Sequence, residues 1–198
     1  MLRRMPAFLM FLIALFAFPI SAQTPCPSKL FVSGYGSTVH IYDACTGAFQ
    51  RVLDTRTRIN GAQAVKIGPD GNIYVVSEKL SKILKYNRDT FDFMGEFATV
   101  NAGPTGIDFD RQGRMYVARY GASNVRRYDT NGVFIDEPVP AGPLLFGPDN
   151  GMLFGPDDKL YIPGYDSSNV MRFDPATNEL VEVRSEERRV GKECRSRW

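Results

Sequence analysis

Four stretches of this chain repeat one another at intervals of about 42–45 residues, and no other feature narrows the fold so far. Residues 61–75 align with residues 103–117, closing on Ile73-Tyr74-Val75 and Met115-Tyr116-Val117. Residues 147–162 fit the same phrase with one extra residue near their start and close on Leu160-Tyr161-Ile162. Aromatic anchors recur at Tyr42, Tyr86, Tyr128 and Phe173, each followed by Asp or Asn. A period of this length belongs either to propeller blades or to helical arrays.

The residue types decide between the two. Apolar residues alternate with period two, as in Val65/Ile67, Ile107/Phe109 and Met152/Phe154, which is strand spacing. Turn signals follow at regular intervals: Asp70-Gly71, Gln112-Gly113 and Asp157-Asp158 after the first run, then Thr46-Gly47, Asn131-Gly132 and Thr177-Asn178 after the third. Such pairs supply the positive φ angles of tight hairpins. The second run of each copy is apolar almost throughout, as a strand covered on both faces requires. Each copy therefore reads as four short antiparallel strands, and the chain as an all-β propeller. The first copy begins at Leu30-Phe31-Val32-Ser33, the counterpart of Ile73-Tyr74-Val75-Val76, with no innermost strand before it. The expected content is three strands of blade one, all of blades two and three, and most of blade four. Such an open arc is expected to be marginally soluble, because blade faces and strand edges stay uncovered.

The two ends read differently. Residues 1–22 carry Arg3 and Arg4 before an apolar run and close on Ser21-Ala22. That is the form of a secretory signal peptide, an uncleaved anchor being the alternative. Residues 23–29 form a lead segment and residues 30–183 the blades. Residues 184–198 are densely charged, lack alternation, and resemble the translation of a common short-read sequencing adapter; a basic binding tail is the alternative. On the adapter reading the protein continues past Val183. Without leader and tail, 16 basic residues face 19 acidic ones, a net charge of −3 instead of the +2 of all 198 residues. The chain then lacks the footprint of a nucleic-acid binder. In an exported protein Cys26 and Cys45 are expected to pair, with two independent thiols as the alternative.

The blade phrasing resembles NHL-type propellers and the related senescence-marker-protein/gluconolactonase superfamily. It does so over about residues 30–183, best in Thr105-Gly106-Ile107-Asp108-Phe109 and Asn124-Val125-Arg126-Arg127-Tyr128-Asp129. The resemblance implies a closed form of six blades, of which this chain holds about four, and for the lactonase branch a divalent cation such as calcium on the axis. Its ligands there come partly from an Asn or Asp before a Gly at the head of each inner strand. The matching positions are Gln63, Thr105 and Asn150, and only Asn150, followed by Gly151 and preceded by Asp149, keeps the pattern. Asn150 is thus the one metal-ligand candidate; Ala64 replaces the Gly after Gln63.

Position in the repeat points to the same place. Gln63, Thr105 and Asn150 share one polar position at the channel mouth. Loops between second and third strands should border it with Glu78-Lys79, Arg119-Tyr120 and Tyr165-Asp166. An aromatic and charged rim around a polar hole suits a ligand, although solvation alone also keeps a channel mouth polar. His40 is the only histidine, and Leu84, Arg126 and Met171 stand at its place in later copies, so this segment assembles neither a Ser-His-Asp triad nor a multi-histidine zinc site. Streptogramin-type lyases, propellers with similar blades, rely on a histidine, for which the part expected past Val183 leaves room. Lys85, Arg127 and Arg172 form a basic row expected to be a solvated face or to pair from blade to blade with neighbouring Asp, an anion site being the alternative. Two functions remain: an exported module binding a small molecule, glycan or protein at the mouth, as a monomer without nucleic acid or membrane span, or a metal-dependent, lactonase-like hydrolase.

Overall fold

A computed structural model describes residues 27–185. Blade one holds β1 (Lys29–Ser33), β2 (Val39–Asp43) and β3 (Phe49–Val52). Blade two holds β4 (Ala62–Ile67), β5 (Ile73–Ser77), β6 (Lys82–Tyr86) and β7 (Phe93–Thr99). Blade three holds β8 (Pro104–Phe109), β9 (Met115–Arg119), β10 (Asn124–Tyr128) and β11 (Phe134–Val139). Blade four holds β12 (Leu153–Phe154), β13 (Leu160–Gly164), β14 (Asn169–Asp174) and β15 (Glu179–Ser185). Every sheet is an antiparallel meander in chain order, three of four strands and the first of three. This is the expected all-β, incomplete propeller. The last strand departs from expectation, because β15 continues through Arg184 and Ser185, which pair with Val170 and Asn169. The expected boundary after Val183 thus falls inside a strand, and residues 186–198 lie outside the described ones.

The anchor residues owe their place to the turns they close. Asp43 Oδ1 accepts the amides of Cys45 and Thr46 at 3.0 and 2.9 Å. Asn87 Oδ1 does the same for Asp89 and Thr90, Asp129 for Asn131, and Asp174 for Ala176. A side chain bonding its own backbone two or three residues on stabilises the turn without help from the rest of the fold. The polar residue after each aromatic anchor therefore has a local structural reason. Cys45 sits in the first of these turns and takes part in a disulfide; Cys26 and the leader lie outside the described residues.

Three apolar layers hold the blades together, one between each neighbouring pair. Val39, Ile41, Val75 and Leu84 fill the first; Val76, Ile83, Ile107 and Val117 the second; Ala118, Val125, Leu160 and Ile162 the third. Each fully buried aliphatic side chain contributes about 1.5–3 kcal/mol relative to exposure. The layers rest on alternation: along β5, Val75 faces blade one while Tyr74 and Val76 face blade three. Among the described residues no helix is long and apolar enough to cross a membrane.

Each innermost strand carries an irregularity near its head. Ala62 pairs with Ser77 and Val65 with Val75, so Gln63 and Ala64 together oppose one residue of β5. Pro104 and Ile107 pair with Arg119 and Val117 in the same way. In blade four an isolated bridge joins Pro148 to Gly164 before Leu153 pairs with Tyr161, leaving four residues opposite two. The bulge absorbs the extra residue seen in the sequence.

Candidate functional site at the channel mouth

The bulges place the predicted mouth residues, and they do not treat them alike. Gln63 is half-buried; its amide nitrogen donates to Glu78 Oε2 at 2.8 Å. Its Oε1 accepts from Asn150 Nδ2 at 3.3 Å, a bond between side chains 87 positions apart. Blades two and four therefore meet across blade three. Gly106 of the intervening blade makes room, since a Cβ there would lie 2.6 Å from the Asp149 carbonyl oxygen. Asp149 is anchored by its amide on Pro163 O at 3.1 Å, and its carboxylate accepts the Asn150 amide at 2.8 Å.

Thr105 has a different environment. It is 1% exposed, and its hydroxyl donates to Pro148 O at 2.9 Å, stitching blade three to the head of blade four. Gln63 holds the same place in the same two-against-one register, but its longer amide reaches Glu78 and Asn150, whereas the short Thr105 hydroxyl is buried on the Pro148 carbonyl. Arg119 likewise lies inside the protein, at 5% exposure. Its guanidinium donates to Asn124 Oδ1 at 2.8 Å, Asn101 Oδ1 at 2.9 Å and Glu137 Oε1 at 3.0 Å. Burial and the adjacent Arg126 hold its pKa below the ordinary arginine value, against the pull of Glu137. Arg119 thus braces three strands and an incoming loop of blade three.

The rim proper stands on the loops after the second strands. Tyr120 opens a single 3-10 turn (Tyr120–Ala122) and donates its hydroxyl to Asp166 Oδ1 at 3.1 Å. That bond, helped by the surrounding negative charge of Asp166 and Asp149, raises the Tyr120 pKa. Tyr165 is 70% exposed, its ring centre 6.4 Å from that of Tyr120. Its backbone is fixed, because the amides of Tyr165 and Asp166 donate to Gly147 O and Phe146 O. Tyr35, in the corresponding loop of blade one, carries the Lys79 ammonium over its ring at 4.2 Å. Sequence reasoning missed Tyr35 because blade one lacks the inner strand that fixed the alignment elsewhere; its place just after β1 was the available signal. Gln63, Asp149 and Asn150 with Glu78 thus cluster at the inner-strand heads, and Tyr35, Tyr120, Tyr165 and Asp166 stand on the loops after second strands.

These donors do not fit a calcium ion. Calcium takes about six to eight oxygen ligands, carboxylates among them. The Gln63 and Asn150 amides bond to each other, Glu78 is held by Gln63, and Thr105 points away. Among the described residues no group of three or more His, Cys, Asp and Glu comes close enough to hold a metal ion. The basic row is accounted for as well: Lys85 Nζ lies 2.6 Å from Asp70 and Arg172 reaches Asp157 at 2.5 Å, while Arg127 grips Asp136. Each pair lies within one blade.

Comparison with solved structures supports the architecture. The chain superposes on a Kuenenia stuttgartiensis hydrazine synthase with TM-score 0.64 and 24% identity, over 81% of this chain and 46% of that one. A streptogramin B lyase gives TM-score 0.64 and 16% identity, covering 79% and 51%. A chain of a nidogen/laminin complex gives 0.66 and 18%, covering 81% and 60%. All are β-propellers. This is a β-propeller chain. It spans about half the length of the structures it matches. At these identities the likeness carries the fold and no activity. No protein-family model and no curated protein sequence matches it.

Proposed function

We propose that this propeller is an exported binding module, of the NHL or senescence-marker-protein type, whose ligand sits at the channel mouth on Gln63, Asp149 and Asn150. The observation that carries the reading is the Gln63–Asn150 bond across Gly106, which brings amide and carboxylate groups from two blades to one point. Tyr120 and Tyr165 offer ring faces beside it. A small set of convergent polar groups framed by aromatic surface is the make-up of a ligand site. Matched propellers include proteins described as a lyase and as an auxiliary nutrient binding protein, so the scaffold hosts both kinds of work. The leader-like pattern of residues 1–22 and the disulfide at Cys45 support export.

A second reading, a metal-dependent lactonase-like hydrolase, has the Asp149 carboxylate beside Asn150 at the head of an inner strand in its favour and the poor fit of these donors to calcium against it. A single experiment separates the two. The chain and its Gln63→Leu and Asn150→Leu variants are titrated calorimetrically with neutral saccharides, nucleosides and short peptides, and assayed on γ- and δ-lactones with calcium or manganese. The binding reading expects a saturable ligand whose affinity falls at least about tenfold in both variants without turnover. Metal-dependent lactone hydrolysis abolished by Asn150→Leu would establish the hydrolase instead. Binding that ignores both substitutions would move the site elsewhere.

A further inference from the structure

Arginine pairing is uneven across the molecule. Among the described residues Arg58, Arg111, Arg114, Arg119, Arg126, Arg127, Arg172 and Arg184 each hold a carboxylate. Arg51, Arg56 and Arg88 hold none among those residues, and all three stand where blade one meets blade two. Arg51, Arg56 and Arg58 line one cavity there, of about 370 Å³. Asp54 shapes the link that presents them. It is 7% exposed, and its carboxylate accepts the Arg56 amide at 2.8 Å, Arg58 Nη1 at 3.0 Å and the Tyr86 hydroxyl at 3.0 Å. Asp92 is the other acid of the lining. Three guanidiniums therefore face two carboxylates, one of them already saturated.

Two rings hold the guanidiniums in place. Arg58 lies 4.4 Å from the ring centre of Phe93, and Arg51 lies 5.4 Å from that of Phe91. Phe91 keeps its position against the backbone's preference. After the third strands of blades one, two and four, the amides of Gly47, Phe91 and Asn178 close onto the carbonyl four residues back, at φ of 72°, 64° and 63°. Gly132 closes the shorter turn of blade three at 83°. Gly and Asn adopt left-handed backbone readily, whereas a bulky aromatic is a rare outlier there. The repeat thus has less strained residues for this position, and blade two carries the ring that supports Arg51. That ring also meets Phe31 edge-on at 6.3 Å, so packing is the rival explanation.

We propose that this cavity is an oxyanion site, binding the phosphate or sulfate group of a small hydrophilic molecule. A guanidinium whose face rests on a ring keeps its N–H edge free for a ligand. Three such groups arriving from separate side chains suit several acceptor oxygens in a tetrahedral array better than the two of a flat carboxylate. The site shares no residue with the inner-strand heads, so it is independent of the function proposed above.

The test titrates the full chain calorimetrically at low ionic strength, where exposed charges are least screened. The probes are inorganic phosphate, inorganic sulfate and malonate, an anion with two flat carboxylates. Saturable binding of phosphate, sulfate or both is expected, tighter than that of malonate, and the stronger of the two names the ester group. Arg51→Gln and Arg56→Gln should each weaken it at least about tenfold. Phe91→Gly leaves every charge in place and relieves the left-handed backbone, and it should still weaken binding at least about threefold. Arg88→Gln removes the same charge outside the cavity and should leave the affinity within about twofold. Absence of saturable binding, malonate bound as tightly as phosphate and sulfate, or an equal loss in Arg88→Gln overturns the inference. So does an affinity indifferent to Phe91→Gly, because the ring would then serve only to pack on Phe31.

Discussion

Second strands of interior and terminal blades share a sequence pattern and differ in environment. β5 and β9 are buried at every position, whereas β13 alternates between buried and half-buried and β1 is exposed or half-exposed along its length. Yet Leu30-Phe31-Val32 is as apolar as Ile73-Tyr74-Val75. Apolar composition in a propeller strand thus reports the neighbours the strand is built for, and the hydrophobic gain arrives only when a blade stands on each side.

That contrast can be broken most sharply at one repeated residue. Tyr116→Ala removes a fully buried ring packed on Phe154 and should cost about 3–5 kcal/mol in chemical denaturation. Tyr161→Ala, at the same position on the uncovered face, should cost about 1 kcal/mol or less. Equal losses would mean that blade four is covered in solution.

A smaller effect sharpens the comparison between blades two and three. Tyr86 and Tyr128 occupy equivalent places and are both buried. The Tyr86 hydroxyl donates to Asp54 Oδ2 at 3.0 Å, and Arg58 shares that carboxylate. Among the described residues the Tyr128 hydroxyl is buried without a well-formed hydrogen bond, the Arg126 guanidinium lying nearby. Tyr86→Phe should therefore cost about 1–2 kcal/mol, since it leaves a buried carboxylate short of a donor. Tyr128→Phe should be near neutral or slightly stabilising. The reverse order in thermal melts would show that the two blades exchange these networks.

The smallest effect is electrostatic. Burial alone would raise the Asp70 pKa, but the Lys85 and Asn72 hydrogen bonds outweigh it and bring the group down to about 2 from 3.8. A lowered folded-state pKa gives stability that is present above about pH 4 and lost as the pH falls towards 2. Because the side chain is 36% exposed, solvent screening leaves about 0.5 kcal/mol of this. Asp70→Asn should flatten that part of the pH–stability curve and leave the curve above pH 5 parallel to wild type.

The blades were legible because their signals are local and repeated: alternation, turn pairs, and the Asp or Asn after each aromatic anchor. The site was legible in part. Gln63 and Asn150 meet at the heads of two inner strands, and Tyr120, Tyr165 and Asp166 stand on the loops after second strands. Thr105 and Arg119 were grouped with them by position, and the fold separates them for reasons no alignment column displays. The Thr105 hydroxyl is held by the Pro148 carbonyl 43 positions on, and the partners that retain Arg119, Asn101 and Glu137, each lie 18 positions away.

The irregular head of each inner strand has a further consequence. Downstream of it Val65, Ile107 and Met152 all return to the apolar layers, although blade four reaches its layer with one more residue than the others. A gain or loss of sequence there is damped before it reaches the ladder, so the alternation behind it is preserved. Evolution can therefore edit the length and chemistry of the axial opening one blade at a time while the walls stay unchanged. Two relatives could share every wall residue of this propeller and recognise unrelated molecules.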